Sequence, residues 1–156
     1  MPLVVNGWTL LYHPVFGERY AQLRDEARRL RRQVTPEKYV EHPVVKLAAA
    51  VHRLITQIVP ANPDAAEFRL KDDLAKFRRA KSHGLPPRYR LFWVFSNQAK
   101  IVVFLYLNDE ATLRMAGAKT DPYTTFERLI ARGEIGADFD ANLRAWRRAH
   151  GVRESG

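Results

Sequence analysis

The first sixty residues predict a strand followed by two helices. Residues 3–12, which include the run WTLLY, are apolar and β-prone, and Pro14 ends that stretch. Apolar side chains then recur at spacings of four and three, which predicts a helix with one buried face: Phe16, Tyr20, Leu23, Ala27, Leu30 and Val34. Thr35 and Pro36 are residue types of an N-cap and a first helical position, so a second helix is expected there.

The second helical stretch carries its own apolar face, formed by Val44, Leu47, Ala48, Val51, Ile55 and Ile58. Pro43 either kinks this helix or starts it afresh. We expect the two helices to form an antiparallel hairpin that covers a sheet. After a loop at 60–67, three short runs at 77–81, 89–95 and 101–107 alternate or are rich in β-branched and aromatic residues, which indicates a β-meander.

Helical signals return after the third run. Asn108 or Asp109 can cap a short helix closed by Gly117, and Asp121-Pro122 opens another that bears Tyr123 and Phe126. A break at 133–136 precedes a last helix over 138–150. This order predicts an α+β fold: an antiparallel sheet whose helices, an N-terminal hairpin and further C-terminal helices, pack on one face. Residues 1–150 are expected to form a single domain and 151–156 a frayed tail.

Composition narrows the class of protein. The chain has 156 residues and no cysteine, which excludes disulfides and thiolate metal sites. Its start has neither a basic segment nor a small-residue cleavage site, and its longest apolar run, 101–107, is too short to cross a bilayer. A cytoplasmic protein without a membrane partner is therefore expected. Lys and Arg total 26 against 17 acids, a net charge of +9, which favours RNA, DNA or an acidic protein as partner unless it serves solubility alone.

The densest positive charge lies in FRRAKSHGLPPRYRLF, residues 77–92, which contain no acid. If 82–87 form the loop of a hairpin, Lys81 faces Arg88 and Arg79 faces Arg90, all four on one face, with Arg78 apart. Opposed like charges are destabilising unless an anion lies between them, and guanidinium groups match phosphate oxygens. The alternative is a solvated hairpin end whose cations splay apart, and a one-residue slip would separate the four.

Other candidate chemistry is sparse. The five histidines (13, 42, 52, 83 and 150) show no metal-ligand spacing, so no metal site is predicted. His83 lies in the loop of the basic hairpin, but an exposed loop histidine is the favoured interpretation, and His52 is interpreted as a packing residue. There is no Walker loop, GxGxxG or GxSxG motif. The last helix carries Arg144, Arg147 and Arg148, which form either a polyanion contact or a solvated face. Arg114, Lys119 and Tyr123 follow the third predicted strand of the meander closely and suit charge neutralisation, base stacking or proton transfer.

Four segments together resemble the YhaV-type toxins of bacterial toxin–antitoxin pairs, within the wider RelE-like family. They are VNGWTLLYHPVF, KLAAAVHRLI, RYRLFWVF and LNDEATLRMAGAKTDPYTTFERLIARG, and they run through nearly the whole chain in order. The resemblance implies a RelE-like fold and an endoribonuclease that cuts mRNA, in association with ribosomes, and so inhibits translation. It also implies an acidic antitoxin of the PrlF type. DNA would be contacted only indirectly, through that antitoxin. The loop 82–87 is longer than expected for the family, which puts the geometry around His83 in doubt.

In such toxins the RNA lies on a concave sheet surface lined by Arg and Lys. We expect a metal-independent reaction without a cofactor, in which the RNA 2′-OH attacks the adjacent phosphorus. The predicted catalytic residues are Arg79, Lys81, Arg90 and Tyr123. The predicted RNA-binding residues are Arg88, Arg114, Lys119 and Lys76. The alternatives are a basic RNA- or ribosome-binding protein without activity, and a RelE-like toxin that acts on a topoisomerase.

Overall fold

The structure is a computed structural model that describes residues 2–152. Its strands are β1 (Leu3–Val5), β2 (Trp8–Tyr12), β3 (Arg78–Ala80), β4 (Leu91–Ser96) and β5 (Ile101–Leu107). Its α-helices are α1 (Pro14–Gln33), α2 (Pro36–Glu41), α3 (Pro43–Arg53), α4 (Val59–Ala61), α5 (Pro122–Ala131) and α6 (Phe139–Ala149). The predicted α+β class is confirmed. Of the predicted frayed tail 151–156, residues 153–156 lie outside the described part.

The five strands form one sheet in the order β1-β2-β5-β4-β3. β4 pairs with β5 and with β3 antiparallel, but β2 pairs with β5 in parallel, Thr9 opposite Ile101. The expectation of an antiparallel sheet is therefore wrong for this pair. A parallel pair needs a crossover connection, because both strands must start at the same end of the sheet. Here the long path between β2 and β5, through the helices, β3 and β4, returns the chain to the end at which β2 starts.

The predicted first strand is in fact two. Asn6 and Gly7 both adopt positive φ, 51° and 81°, and turn the chain so that Val5 pairs with Trp8. Positive φ at both central residues is the geometry of a tight type I′ hairpin turn, which Asn-Gly adopts readily. Residues 3–12 therefore fold back on themselves, and β1 forms one edge of the sheet.

The N-terminal helices cover one face of the sheet, as predicted. His13 caps α1 by accepting from Val15 N, and His42 caps α3 by accepting from Val44 N, so Pro43 starts a new helix. One core cluster joins these helices to the sheet. Its largest fully buried members are Phe16, Leu23, Leu54, Ile55, Leu91, Trp93, Phe104 and Leu107.

The C-terminal helices cover the opposite face, so the expectation that all helices pack on one face is wrong. Side chains of β4 and β5 alternate between the faces, and Phe92, Val94, Val103 and Leu105 point away from α1 and α3. They form a second cluster with Phe126 of α5, and Leu143 and Trp146 of α6 pack against it. Because both sheet faces are covered, polar chemistry is confined to the strand ends and sheet edges.

One stretch, Pro43–Ala61, is long and apolar enough to cross a membrane by length and composition. It comprises α3, a π-helical turn at Leu54–Ile58 and α4. Its side chains Val51, Leu54, Ile55 and Val59 are fully buried within the first core cluster. The buried face of this stretch therefore accounts for part of its apolar character.

Candidate nucleic-acid interface

The basic hairpin has a different register from the predicted one. Arg79 pairs with Phe92 and Ala80 with Leu91, so the loop runs from residue 81 to residue 90. The expected opposition of Arg79 to Arg90 and of Lys81 to Arg88 is wrong. The observed register differs from the predicted one by two residues, and a shift by an even number leaves each side chain on the same face of the sheet. Arg79 therefore lies on the face of its partner Phe92, and Arg90, two residues before Phe92, is on that face too.

The longer loop separates the four predicted cations. Lys81 is exposed within it, and Arg88 is exposed at a positive φ of 73°. Arg79 is half-buried and donates from Nη1 to Glu67 O at 3.2 Å; within residues 2–152 its Nε is buried without a partner. Arg78 stands apart, as predicted: it forms an ion pair with Asp64 at 2.9 Å. The structure thus places Arg79 on β3, Arg90 directly before β4, and the other two cations farther out on the loop.

Asn108 fixes the backbone around Arg90. Leu91 pairs with Leu107, so the residue before β4 meets the residue after β5 at one end of the sheet. The Asn108 side chain is fully buried and accepts from Arg90 N at 2.7 Å. It donates to Arg88 O at 3.0 Å and to Thr112 O at 2.8 Å. One amide therefore ties the loop before β4 to the segment after β5. Sequence reasoning considered Asn108 only as a helix cap.

The predicted short helix after β5 is not formed as expected. A single 3₁₀ turn at Glu110–Thr112, capped by Asp109, is followed by turns up to Gly117. This irregular path returns Arg114 to the loop, where its backbone N–H donates to Arg88 O at 2.9 Å. The arginine side chain is thereby placed at the N-terminus of α5.

Arg90, Arg114 and Tyr123 form one contiguous group at that helix end. Arg90 Nε donates to the Tyr123 hydroxyl at 3.2 Å, and the Arg114 guanidinium lies 4.9 Å from the centre of the Tyr123 ring. Arg114 Nη1 also pairs with the buried carboxylate of Asp121 at 2.6 Å. The tyrosine ring packs edge-on against Phe92, with ring centres 5.5 Å apart. Two cations are therefore held against one half-buried phenol.

Asp121 organises the start of α5. One carboxylate oxygen accepts from Tyr123 N at 3.0 Å, which is the predicted cap. The other accepts from Met115 N at 2.8 Å in addition to Arg114. Beneath the group, Tyr106 stacks on Phe92, and burial raises the pKa of its phenol, so it is a neutral packing residue at physiological pH. Asp121 is thus confirmed as the predicted N-cap of α5. Its ion pair with Arg114 was not predicted from the sequence.

Of the remaining predicted RNA-binding cations, Arg88 and Lys119 belong to the segments that carry this group, whereas Lys76 lies farther along α5. Lys119 is exposed two residues before Asp121, and Lys76 lines a cleft of about 500 Å³ together with Glu127 and Ile130 of α5. Arg88 is exposed on the loop that Asn108 holds. Among residues 2–152, no cluster of three or more His, Asp or Glu side chains is arranged to hold a metal ion.

His83 is not the exposed loop histidine expected from the sequence. It is half-buried, its Nε2 contacts the Glu67 carboxylate, and its ring lies 6.0 Å from that of Phe68. Phe68 belongs to the cluster on the α1 and α3 side, whereas Tyr123 packs against the cluster on the other face. His83 is thus anchored on the opposite side of the sheet from Tyr123. His52, expected to be a packing residue, is exposed and reaches the Tyr20 hydroxyl at 3.5 Å.

Residues 10–147 match the family described as "Toxin with endonuclease activity, of toxin-antitoxin system". The ribonuclease toxin YhaV of Escherichia coli strain K12 is 36% identical over 154 residues, which cover 96% of this chain and 98% of that protein. The YhaV toxins of Escherichia coli O157:H7 and O6:H1 match over the same shares with the same identity. No solved structure matches, so the RelE-like fold assignment stays a prediction. The resemblance drawn from the sequence motifs is confirmed at the level of the family: the chain belongs to the YhaV family of toxins with endonuclease activity from toxin–antitoxin systems.

Proposed function

We propose that this toxin is an endoribonuclease that cleaves mRNA at the group formed by Arg90, Tyr123 and Arg114. The proposal is supported by the family's endonuclease activity and by the name of the relative that is a ribonuclease toxin. The observation that carries the site is the hydrogen bond from Arg90 Nε to the Tyr123 hydroxyl. It joins a permanent cation to a group that can transfer a proton.

The reaction that fits these residues needs no metal. The RNA 2′-OH attacks the adjacent phosphorus, the bond from phosphorus to the 5′-oxygen breaks, and a 2′,3′-cyclic phosphate and a free 5′-OH result. The enzyme must orient the strand, neutralise the additional negative charge on the phosphorus centre and move two protons. Arg90 supplies the charge, with Arg79 as the second candidate on the same face.

Tyr123 is assigned the role of general acid, which donates its phenolic proton to the leaving 5′-oxygen. A guanidinium has no acceptor, so in the contact with Arg90 the phenolic oxygen accepts and keeps its own hydrogen. That hydrogen is then available to another acceptor. Arg114 approaches the ring of Tyr123 and binds Asp121, so we propose it as a positioning residue in addition to its predicted RNA contact. Lys81, exposed on the loop, is the candidate that accepts the 2′-OH proton, a role that requires its neutral amine because an ammonium group has no acceptor.

The RNA backbone would pass over three exposed cations: Arg88 and Lys119 beside the group, and Lys76 farther along α5. We further propose that the substrate is mRNA on the ribosome, that cleavage inhibits translation, and that an acidic antitoxin of the PrlF type neutralises the toxin. DNA would be contacted only through that antitoxin. A cytoplasmic location follows from these partners.

The test is an RNA cleavage assay with the purified protein in EDTA, followed by analysis of the new ends. We expect 2′,3′-cyclic phosphate and 5′-OH ends, and about a 100-fold loss of rate in Arg90→Ala, the magnitude typical of one removed charge-stabilising donor. Arg29→Ala, an exposed arginine of α1, is the matched control and is expected to cleave at the wild-type rate.

Three results would count against the proposal. Salt-sensitive RNA binding without new ends would make the protein a binding module. Loss of activity in EDTA, or 3′-OH ends, would indicate metal-dependent cleavage. Arrest of replication before translation after brief expression would point to a topoisomerase target.

A further inference from the structure

A second basic site lies at the N-terminus of α1, away from Arg90 and Tyr123. A cleft of about 700 Å³ opens there between the first turn of α1, the turn that follows α5, and the last turns of α6. Its ionisable wall residues are His13 and Glu134, with Arg144 and Arg148 from α6. Ile130, near the end of α5, also lines it, about 10 Å along the helix axis from Tyr123.

His13 carries a buried donor beside this cleft. Its ring is 3% exposed, and its Nδ1 accepts from Val15 N at 3.1 Å. An atom that accepts from a backbone N–H carries no hydrogen, so in the neutral ring the hydrogen is on Nε2. Within residues 2–152 this buried Nε2–H has no hydrogen-bond partner. A buried donor without an acceptor is costly, and a bound acceptor would remove the cost.

Three further features favour an anion as that acceptor. The N-terminus of a 20-residue helix carries a partial positive charge. Arg144 and Arg148 lie one turn apart on α6, which places them on the same face of that helix. The Arg148 charge also acts on the imidazole directly: burial, with a smaller contribution from Arg148, lowers the pKa of His13 to about 4. The ring is therefore neutral at pH 7 and donates through Nε2.

We propose that this cleft binds a phosphate group, held by His13 Nε2–H, the first turn of α1 and the guanidinium groups of Arg144 and Arg148. Paired guanidinium forks and a helix N-terminus suit the several oxygens of a phosphate. The exposed Glu134 on the wall opposes an anion, and the two arginines outweigh its charge. The phosphate comes either from the RNA backbone or from a free phosphate ion. The site is separate from the proposed reaction centre and does not depend on it.

The test follows the His13 ring by NMR in the full chain at pH 7 while inorganic phosphate is added. We expect the Nε2–H resonance, assigned by its loss in His13→Asn, to shift in a saturable way. The double variant Arg144→Gln/Arg148→Gln should weaken phosphate binding at least ten-fold. Arg147→Gln is the control, because it removes one positive charge from the same helix outside the cleft, and it should bind phosphate as the wild type does.

A second titration with a fully 2′-O-methylated RNA, which has no 2′-OH and cannot be cut, distinguishes the sources. Competition with phosphate at His13 identifies the RNA backbone; binding of phosphate alone identifies the free ion. No shift of His13 with either probe would overturn the proposal, and so would equal weakening in Arg147→Gln. A shift produced only by a polyglutamate peptide would also overturn it, in favour of a carboxylate partner. Since binding is measured in wild-type protein, the result stands if a variant fails to fold and whether or not RNA is cleaved.

Discussion

Asp121 shows how much of the site depends on one side chain. Its carboxylate is 2% exposed and accepts from the Arg114 guanidinium and from the backbone of Met115 and Tyr123. Removing a buried charge partner leaves the other groups without compensation, which costs more than the loss of a surface ion pair. The same contacts position Tyr123, so stability and activity are coupled at this residue.

Asp121→Ala is therefore expected to lower the free energy of unfolding by about 3 kcal/mol and to reduce RNA cleavage. Urea unfolding followed by circular dichroism measures the first effect, and the cleavage assay the second. Asp25→Ala, which removes an exposed carboxylate paired with Arg28 on α1, is the control and should change stability by less than about 0.5 kcal/mol. Equal effects of the two substitutions would contradict the importance given to Asp121.

His13 makes a second prediction at this scale, on pH. Its pKa is lowered to about 4 in the folded protein, below the ordinary value of 6.5, so the unfolded chain binds the additional proton first. Stability from this residue is complete above pH 6.5 and falls as the pH decreases towards 4, by about 3 kcal/mol in total. Urea unfolding at several pH values, compared with His13→Asn, which keeps an N-cap acceptor, isolates this contribution. A pH-independent difference between the two proteins would disprove it.

At the scale of elements, the segments around the site are irregular and are held by side chains. The loop at residues 81–90 and the segment after β5 have no regular ladder between them, and the buried amide of Asn108 connects both. An amide that donates twice and accepts once cannot be replaced by an apolar group without leaving buried backbone groups unsatisfied. The placement of Arg90 and Arg114 is thus a property of two segments joined at one residue.

Asn108→Ala is expected to destabilise the protein by about 2–3 kcal/mol and to reduce cleavage, although Asn108 touches no RNA in the proposed reaction. Asn108→Asp keeps the acceptor for Arg90 N but loses both donors. Its stability and its cleavage rate should lie between those of the wild type and of Asn108→Ala. Asn97→Ala, at an exposed turn position between β4 and β5, is the control and should be neutral in both chemical unfolding and cleavage. Full activity of a folded Asn108→Ala protein would show that the junction does not position Arg90.

Local patterns predicted the elements well and their pairing poorly. The bounds of β5 and the caps of α2 and α5 follow from runs and cap residues that act within a few positions. The Asn6-Gly7 dipeptide is a turn signal, but it stands inside an apolar run whose pattern by itself predicts one continuous strand. The register of β3 could not be predicted in this way, because Leu85 of the loop is buried in the first core cluster and the loop is longer than its Gly/Pro residues indicate. Nothing local specifies that β2 lies beside β5, or that α5 covers the second face.

At the scale of the whole molecule, the charge of +9 makes RNA binding sensitive to salt. We expect replacement of Arg88, Lys119 and Lys76 by Gln to weaken binding of an uncleavable single-stranded RNA. The slope of log affinity against log salt should become shallower by about 2, because each backbone contact in a single strand contributes about 0.7. Fluorescence anisotropy at salt concentrations between about 50 and 200 mM measures this slope.

The control for this experiment changes the same number of charges elsewhere. Arg28, Arg29 and Arg32 are exposed on α1, on the other side of the sheet from α5, and their replacement by Gln should leave the slope unchanged. If both triple variants lose the same slope, the RNA responds to overall charge and the proposed path over Arg88, Lys119 and Lys76 is wrong.

The parallel pairing of β2 with β5 also has a consequence for the order in which the protein can fold during its own synthesis. Residues 9–12 leave the ribosome early, but their partners at 101–104 are made only after α1, α3, β3 and β4. The first β-hairpin therefore cannot join the sheet until most of the chain exists, and Tyr123 is made later still. Contacts between such distant segments form slowly. We therefore expect the proposed reaction centre to form only after both halves of the sheet and Tyr123 have been synthesised, so that shorter nascent chains are inactive.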